Sequence, residues 1–318
     1  SISRKNQDPP KLATIIRSLE NLKHRPPASL HEAIQLMFLY NALAGSQNYG
    51  RMDIYLAGYL QHDRENENVR DEEITGYFYS LWRLMDARGT VYDGRVITGG
   101  ADRSNTEWAN QVALYCFQAS RQTGTILPQL TLRMDANTPE FLKKAAWETL
   151  AQTGVYPMLY NDDINITSVS KSFKINRNEA LGYAPFGCGE YTLEHRSFDT
   201  PNGVINLVQV LLEVIGKNDS FDTFEDLWKA YRLETDALVT ALAQAQACTY
   251  QAAAHTSPFL LFSLLYDDCI DRGKPIFGGG VRYLGGTLET YGNVNTANSL
   301  LAIKKLVFEE QKYTLDTL

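Results

Sequence analysis

The sequence predicts an α/β fold, and three observations support it. Short apolar runs with strand character alternate along the chain with longer segments of helical periodicity. This strand–helix–strand order is typical of parallel strands that are connected by helices. The 318 residues are 44% hydrophobic and 21% charged, which is enough apolar material for one large core or two fused ones. The pattern alone does not distinguish an open sheet from a barrel.

Five segments are predicted to be strands because they are short, apolar and bounded by turn residues. They are Arg95–Thr98, Leu127–Met134, Tyr156–Tyr160, the region around Tyr183–Tyr191, and Pro258–Leu264.

Helices are predicted where start signals precede apolar residues at helical spacing. Ser104 and Glu107 match a capping box, and Thr138-Pro139 supplies a cap and a first-turn proline. The predicted helices cover residues 108–119, residues 140–152, a long segment opened by Asp222 and Glu225, and Asn295–Glu310.

The overall charge and hydropathy exclude two classes of partner. The net charge is −7 and the basic residues form only short pairs such as Lys304-Lys305, so no nucleic acid is expected. No apolar run approaches the roughly 18 residues of a membrane span, so no membrane is expected either. The chain starts with polar residues, lacks an initiator Met and shows no signal-peptide pattern. We therefore expect a cytoplasmic protein that is either processed or a piece of a longer chain.

Four cysteines are spread along the chain, at Cys116, Cys188, Cys248 and Cys269. Without a secretion signal, free thiols are expected rather than disulfides. There is no C-x-x-C pattern and no Cys/His pair at metal-ligand spacing, so no metal is expected. Cys116 and Cys248 lie on apolar faces of predicted helices and are expected to be core residues.

The segment Gly187-Cys188-Gly189-Glu190 is the strongest candidate for chemistry. The glycines permit unusual backbone angles, and the spacing of two places the thiol and the carboxylate on one side of an extended loop. A neighbouring carboxylate keeps the proton on sulfur, which suits a hydrogen-atom donor better than a nucleophile. His195 and Arg196 follow closely and weaken this argument. A buried cysteine in an ordinary turn stays open as an alternative.

Several segments, in order, resemble the glycyl radical enzymes of the pyruvate formate-lyase superfamily. Gly50-Arg51-Met52-Asp53 is similar to their G-R-[FLM]-D motif, and Phe186–Glu190 resembles their G-C-x-E loop in the dehydratase-like branch. The remaining similar segments are Tyr156-Pro157 with Asn161-Asp162-Asp163, Pro258–Cys269, Gly278–Tyr283, and Asn298–Glu310.

The resemblance implies a fold and a mechanism. The implied fold is a ten-stranded barrel of two parallel half-barrels set antiparallel, with surrounding helices, incomplete in this chain. Cys188 is implied to be the thiyl-forming residue, and Glu190 the general base for a substrate hydroxyl. No cofactor is expected to bind directly. The implied glycyl radical is installed by an activating enzyme that uses S-adenosylmethionine and an iron–sulfur cluster.

Three departures from the family pattern shape the prediction. Acyl-transferring members carry two adjacent cysteines, whereas Gly187 precedes Cys188 here, which disfavours formate C-acetyltransferase activity. Gly189 replaces the aliphatic residue that is common between Cys and Glu. No R-V-x-G-[YF]-like radical loop follows Glu310. Residues 1–318 are therefore predicted to be a partial catalytic core without the C-terminal glycyl radical domain, either a fragment or a core completed by a second polypeptide.

The predicted function is a lyase of the dehydratase type that acts on a small hydroxylated substrate and is inactive as this isolated chain. A decarboxylase, or a C–N or C–S lyase, is the next alternative on the same scaffold. A non-catalytic domain that has kept the fold is the rival from another class. The implied partners are the substrate, the activating enzyme, the missing glycyl radical domain and a second copy in a homodimer.

Overall fold

The computed structural model describes residues 9–46, 48–89, 94–187, 189–198, 201–217 and 220–317. Its contacts divide the chain into two compact units, one ending at Leu193 and the other beginning at Glu194. Each unit combines helices with parallel strands, which confirms the predicted α/β class. Within the described ranges, no helix is both long and apolar enough to pass through a lipid bilayer.

The helices of the first unit alternate with its strands. Their bounds are α1 (Pro9–Leu22), α2 (Leu30–Ala44), α3 (Met52–Glu65), α4 (Asp71–Ala87), α5 (Thr106–Thr123), α6 (Glu140–Thr153), α7 (Asp162–Phe173) and α8 (Arg177–Ala180). The helices predicted for residues 108–119 and 140–152 are confirmed as α5 and α6.

Four short strands of the first unit form one parallel sheet in chain order: β1 (Gly50–Arg51), β2 (Val96–Gly99), β3 (Leu130–Met134) and β4 (Met158–Asn161). The register pairs Gly50 with Val96, Val96 with Leu130, and Thr131 with Met158. Because all four strands run in one direction, their carboxyl ends meet at one edge of the sheet. Two further strands, β5 (Tyr183–Phe186) and β6 (Glu190–Leu193), form an antiparallel hairpin. The single strand predicted around Tyr183–Tyr191 is therefore two strands.

The core of the first unit lies between the parallel sheet and the helices that pack on it. Large apolar side chains fill it without contact with solvent, which is the main favourable term for folding this unit. They include Met52, Leu56, Phe78, Trp82, Val112, Phe117, Leu130 and Leu132.

The second unit contains the longest helix of the described chain. Its helices are α9 (Leu207–Lys217), α10 (Phe224–Thr256), α11 (Leu260–Ser263), α12 (Asp267–Arg272) and α13 (Asn293–Ile303), which continues as a π-helix over Lys304–Glu309. Short 3₁₀ turns cover Ile276–Gly278 and Leu315–Thr317. Two parallel strand pairs accompany them, β7 (Ser197–Phe198) with β9 (Tyr283–Leu284), and β8 (Pro201–Asn206) with β10 (Thr287–Tyr291).

Two predicted elements differ in the structure. Residues 258–264, predicted to be a strand, contain helix α11 over Leu260–Ser263. Cys248, predicted to be buried, is exposed on α10.

The predicted caps are also wrong in detail. Ser104 and Glu107 form no capping box, because α5 begins after Asn105 and no side chain caps it. The Thr138 hydroxyl bonds to Asp135 instead of capping α6. The long helix α10 is capped by Thr223, whose hydroxyl accepts a hydrogen bond from the Asp226 amide at 3.2 Å.

The described strands form four separate sheets, none with more than four strands, so the ten-stranded barrel does not close within the described residues. The parallel pairing expected of a barrel core is present in both units.

Glu32 secures the chain between α1 and α2. Its carboxylate accepts two hydrogen bonds from the Arg25 guanidinium, at 2.7 and 2.9 Å. It also accepts one from the backbone amide of Ala28 at 2.9 Å and one from the side-chain amide of Asn21 at 2.8 Å. The bond to Arg25 is the main reason that the pKa of Glu32 falls from 4.5 to about 2.

We predict that Glu32→Gln destabilises the protein at pH 7, and that the difference disappears in acid. A carboxylate with a lowered pKa stabilises the fold above its unfolded pKa and loses that contribution as pH falls through the folded value. The difference in unfolding free energy from wild type should therefore shrink between pH 4.5 and about 2. Urea titrations across this range measure it. Glu20→Gln, at an exposed ion pair with Lys23, is the matched control and should change little at any pH. An effect of Glu32→Gln that is independent of pH would contradict the prediction.

Candidate active site

A glycine-rich turn connects β5 and β6 at the candidate site. The register pairs Phe186 with Glu190, and the Gly189 amide donates to the Phe186 carbonyl at 3.2 Å. Gly187 and Gly189 have φ angles of +52° and +149°, which residues with a side chain rarely adopt. Cys188, the predicted thiyl residue, lies outside the described residues. The structure describes the two glycines that flank Cys188, and both have the unusual backbone angles expected of the predicted turn.

The Glu190 side chain folds back over this turn. Its Oε2 accepts a hydrogen bond from the Gly189 amide at 2.8 Å. A Cβ atom added at Gly187 would lie 2.5 Å from the same oxygen. The absence of a side chain at Gly187 therefore makes room for the carboxylate. Glu190 is half-buried, and its hydrogen bond to the Gly189 amide holds the carboxylate at the turn. That Cys188 and Glu190 share one interior cavity stays a prediction.

Arg95, the residue before β2, is a buried side chain that is hydrogen-bonded to the turn. Its guanidinium donates to the Gly187 carbonyl oxygen, to Gln129 Oε1 at 2.8 Å and to Thr131 Oγ1 at 2.8 Å. Only 1% of Arg95 is exposed. A buried guanidinium with several acceptors has little freedom, so the Gly187 carbonyl is fixed against the sheet.

Arg133, on β3, holds the other end of the same hairpin. It forms a two-pronged ion pair with Asp162, with N–O distances of 3.0 and 2.8 Å. It also donates to the carbonyls of Tyr183 and Leu181 at 2.7 and 2.9 Å. The Tyr183 hydroxyl donates to Asp162 at 2.6 Å, and burial is the main cause that raises its pKa. Strand β5 is thus held at its start by Arg133 and just beyond its end by Arg95.

The residues of the G-R-M-D segment form a second ionic cluster at the carboxyl ends of the strands. Arg51 is paired with Asp102 at 2.6 Å, and Arg103 with Asp53 at 3.1 Å. Asp53 also accepts the Gly99 amide at 2.7 Å, and burial raises its pKa despite its two arginine neighbours. These contacts tie the start of α3 to the end of β2, which gives this part of the motif a structural role.

Aromatic side chains line the neighbourhood of the turn. Tyr191 packs edge-on against Tyr160 and Tyr183, with ring centroids 6.2 and 5.4 Å apart. Burial raises the pKa of Tyr160, and Arg95 acts in the opposite direction. The Glu190 carboxylate contributes to the same rise, so Arg95 and Glu190 both lie within electrostatic range of the Tyr160 hydroxyl.

The two nitrogen-bearing side chains that follow the turn in sequence, His195 and Arg196, have partners of their own. His195 Nδ1 lies 3.2 Å from the Leu265 carbonyl, and Arg196 lies 3.6 Å from Asp267. Burial raises the pKa of the Cys116 and Cys269 thiols. Across the described ranges, no group of three His, Cys, Asp or Glu side chains is arranged to hold a metal ion.

A cavity of about 590 Å³ lies away from the turn, among α1, α2 and α4. Its walls are mostly apolar, with His31 and Tyr77 among the lining residues. No residue of the turn lines this cavity, so the cavity is not part of the candidate active site.

Sequence reasoning found Glu190 but assigned no site role to the three residues that hold the hairpin, Arg95, Arg133 and Asp162, although Asp162 lies in one of the segments that resemble the family. For the two arginines a signal existed. Arginines at positions that the apolar pattern assigns to buried strands are rare unless a partner compensates them.

The fold and the sequence of this chain are both similar to those of glycyl radical enzymes. A solved structure of the glycerol-bound B12-independent glycerol dehydratase from Clostridium butyricum superposes with a TM-score of 0.84 and 22% identity, over 97% of this chain and 44% of that one. The (2S)-3-sulfopropanediol dehydratase of Klebsiella oxytoca is 26% identical over 95% of this chain and 41% of its own length. The 4-hydroxyphenylacetate decarboxylase glycyl radical subunit of Clostridioides difficile (strain CD196) is also 26% identical, over 95% and 40%.

A family model described as pyruvate formate lyase-like matches residues 2–318. The chain belongs to the pyruvate formate lyase-like family. It spans less than half the length of the relatives that it matches. The resemblance seen in the sequence motifs is thereby confirmed, as is the α/β fold of this family.

We predict that Gly187→Ala displaces the Glu190 carboxylate, whereas Gly189→Ala does not. Both substitutions force a side chain into a positive-φ conformation, which costs on the order of 1–3 kcal/mol. Only the Cβ at Gly187 collides with Glu190, since nothing lies within 4 Å of a Cβ at Gly189. Crystal structures of both variants measure the carboxylate position, and urea unfolding measures the shared strain. A Glu190 carboxylate that still accepts the hydrogen bond from the Gly189 amide in Gly187→Ala would contradict the prediction.

Proposed function

We propose that this chain is the catalytic core of a glycyl radical lyase that eliminates a leaving group from a small hydroxylated substrate. The observation that carries the proposal is the glycine-rich turn in the G-C-G-E segment, where the Glu190 carboxylate accepts a hydrogen bond from the Gly189 amide. The relatives named as dehydratases support elimination as the reaction type.

The proposed chemistry uses the thiol and the carboxylate in turn. The Cys188 thiol would first give its hydrogen atom to a glycyl radical, on a glycine outside these 318 residues, and so become a thiyl. Cys188 as a thiyl then removes a hydrogen atom from the substrate carbon that bears the hydroxyl. Glu190 accepts the hydroxyl proton, the leaving group departs from the adjacent carbon, and Cys188 returns a hydrogen atom to that carbon. The cycle balances: Cys188 is left as a thiyl, which takes a hydrogen atom from the glycine and so regenerates both the thiol and the glycyl radical, and the proton held by Glu190 passes to the departing anion, so that a hydroxide leaves as water.

The turn leaves space for the backbone segment that would carry the radical glycine. Gly189 is exposed, and nothing lies within 4 Å of the position of its missing Cβ. A backbone segment that carries the radical glycine would therefore have room to approach this side of the turn.

The proposal includes the partners of this reaction. The radical would be installed by an activating enzyme that uses S-adenosylmethionine and an iron–sulfur cluster, and the radical glycine would lie in a domain outside residues 1–318. We further propose a cytoplasmic setting and a homodimer. The chain alone would be inactive, because its substrate pocket and radical site would be incomplete.

Two specific observations bear on the alternatives. A second cysteine in place of Gly187 could not keep Glu190 where it lies, which disfavours formate C-acetyltransferase chemistry. The decarboxylase relative, at the same identity as the dehydratase, favours decarboxylation as the second candidate. A non-catalytic domain would not require a carboxylate held at the turn.

We predict that Cys188→Ala and Cys188→Ser abolish turnover in the complete, activated enzyme without unfolding it. The O–H bond of serine is too strong to replace the S–H bond as a hydrogen-atom relay. Glu190→Gln should leave radical formation intact and lower kcat by roughly 10²–10⁴-fold, because proton transfer is lost. Product formation from candidate diols under anaerobic conditions gives the rates. Turnover by Cys188→Ala close to that of wild type would refute the thiyl assignment.

We predict that residues 1–318 alone give no glycyl radical signal after incubation with an activating enzyme, S-adenosylmethionine and reductant. The sequence contains no R-V-x-G-[YF]-like loop to oxidise. Electron paramagnetic resonance detects the doublet of a glycine α-hydrogen, and addition of a C-terminal radical domain in trans should supply it. A doublet from the 318 residues alone would place the radical site within them.

A further inference from the structure

Helix α7 binds both strands of the β5–β6 hairpin through tyrosine hydroxyls. The Tyr183 hydroxyl, on β5, donates a hydrogen bond to Asp162 Oδ1 at 2.6 Å. The Tyr191 hydroxyl, on β6, donates to Asn165 Oδ1 at 3.2 Å. The two acceptors are three positions apart at the start of α7, a spacing that places side chains on one face of a helix. This helix face therefore provides one acceptor for each strand, and we refer to the two hydrogen bonds as the α7 contacts.

The two tyrosines also share one face of the hairpin. Tyr191 is paired with Pro185, which lies two positions after Tyr183 on β5, so both tyrosine side chains are on the same side. Their rings meet edge-on, with centroids 5.4 Å apart. Because neighbours along a strand point to opposite faces, Glu190 lies on the other face of β6.

The position of Glu190 depends on the register of the hairpin. A slip of one residue would move every side chain of β6 to the opposite face. The Glu190 carboxylate would then lose the Gly189 amide, which donates to it at 2.8 Å. Gly187 and Gly189 both have positive φ angles, and glycine has little intrinsic preference for one turn shape. The register therefore depends on contacts made by the strands.

We infer that the α7 contacts fix the register of the hairpin, and that Tyr191 is thereby a positioning residue for Glu190. Tyr191 follows Glu190 directly, so a Tyr191 side chain that is bound to α7 determines the face on which the carboxylate lies. The catalytic role of Glu190 rests on the proposed function, whereas the fixing of the register rests on the described contacts alone.

The groups that receive the two tyrosines are themselves held in place. Asp162 is fully buried, and its carboxylate binds the Arg133 guanidinium through two hydrogen bonds and the Ala101 amide through a third, at 3.1 Å. Tyr160, on β4, packs edge-on against the Tyr191 ring with centroids 6.2 Å apart. A buried aromatic ring with a bound hydroxyl has few alternative positions. A slipped register would lose the α7 contacts and the ring contacts together.

The first test measures backbone hydrogen exchange in the 318-residue chain, by mass spectrometry of peptides from residues 183–193. Tyr191→Phe and Asn165→Leu remove opposite partners of the same hydrogen bond, whereas Asn165→Asp keeps an acceptor oxygen. The matched control is Tyr115→Phe. It removes a tyrosine hydroxyl that donates to a carboxylate, that of Asp71, but it lies on α5 and not in the hairpin.

We predict that Tyr191→Phe and Asn165→Leu each raise the exchange rate of the hairpin amides by about fivefold, because local opening loses one hydrogen bond less. The double variant should exchange no faster than either single variant, since both remove the same bond. Asn165→Asp and Tyr115→Phe should leave the hairpin at its wild-type rate. Unchanged exchange in Tyr191→Phe, an equal rise in Tyr115→Phe, or an Asn165→Asp variant as fast as Asn165→Leu would overturn the inference.

A double-mutant cycle in the complete activated enzyme tests whether Tyr191 acts through Glu190. Tyr191→Phe should lower kcat by about tenfold with little change in KM, because the carboxylate is misplaced. In a Glu190→Gln background the same substitution should have no further effect, since the group that it positions is already lost. Equal losses of kcat in both backgrounds would show that Tyr191 only supports the fold, and would overturn its positioning role.

The two experiments separate this inference from the proposed function. If Glu190→Gln keeps the wild-type kcat while Tyr191→Phe still accelerates exchange in the hairpin, the proposed role of Glu190 fails and the fixing of the register by the α7 contacts stands. If Glu190→Gln lowers kcat but hairpin exchange does not respond to Tyr191→Phe, the proposed function stands and the inference about the register fails.

Discussion

The cost of burying guanidinium groups governs how the first unit is built. Arg51, Arg95 and Arg133 are all at most 2% exposed, and each must find acceptors inside the protein because water cannot reach it. Those acceptors lie on different segments: the sheet edge, the start of a helix and the two ends of strand β5. Each arginine therefore cross-links parts of the chain that are distant in sequence. These cross-links position the hairpin. Arg133 binds the start of strand β5 and Arg95 binds the residue after its end, and both arginines belong to the parallel sheet or to the residue that precedes one of its strands.

The sequence predicts the architecture well where periodicity and composition act together. Helices α5 and α6 were found because apolar residues recur at helical spacing over more than ten positions, which few other structures tolerate. Their caps were not, because a capping pattern states only that a bond is possible: α5 begins after Asn105 without a side-chain cap, and the Thr138 hydroxyl bonds locally to Asp135. The run from Pro258 to Leu264 failed for a different reason: a short apolar segment fits a strand or a helix equally well, and only its neighbours decide.

The site was predictable in part for a similar reason. Gly187 and Gly189 indicate an unusual backbone conformation. Glu190 lies two residues after Cys188, a spacing that places two side chains on the same side of an extended segment. The arginines that hold the hairpin are distant from it in sequence: Arg95 is 92 residues from Gly187, and Arg133 is 50 residues from Tyr183. Contacts at such separations leave no periodic trace in one sequence. What the sequence does carry is the anomaly itself, a charged residue within a buried strand.

The packing of Glu190 against Gly187 also bears on how one chemistry could change into another. A residue with a Cβ at position 187 and a carboxylate over the turn exclude each other sterically, with 2.5 Å between the two atoms. A cysteine at this position would require the flexible Glu190 side chain to move away from the turn. A change at residue 187 would therefore also act on the carboxylate at residue 190, and the roles of the two positions would change together.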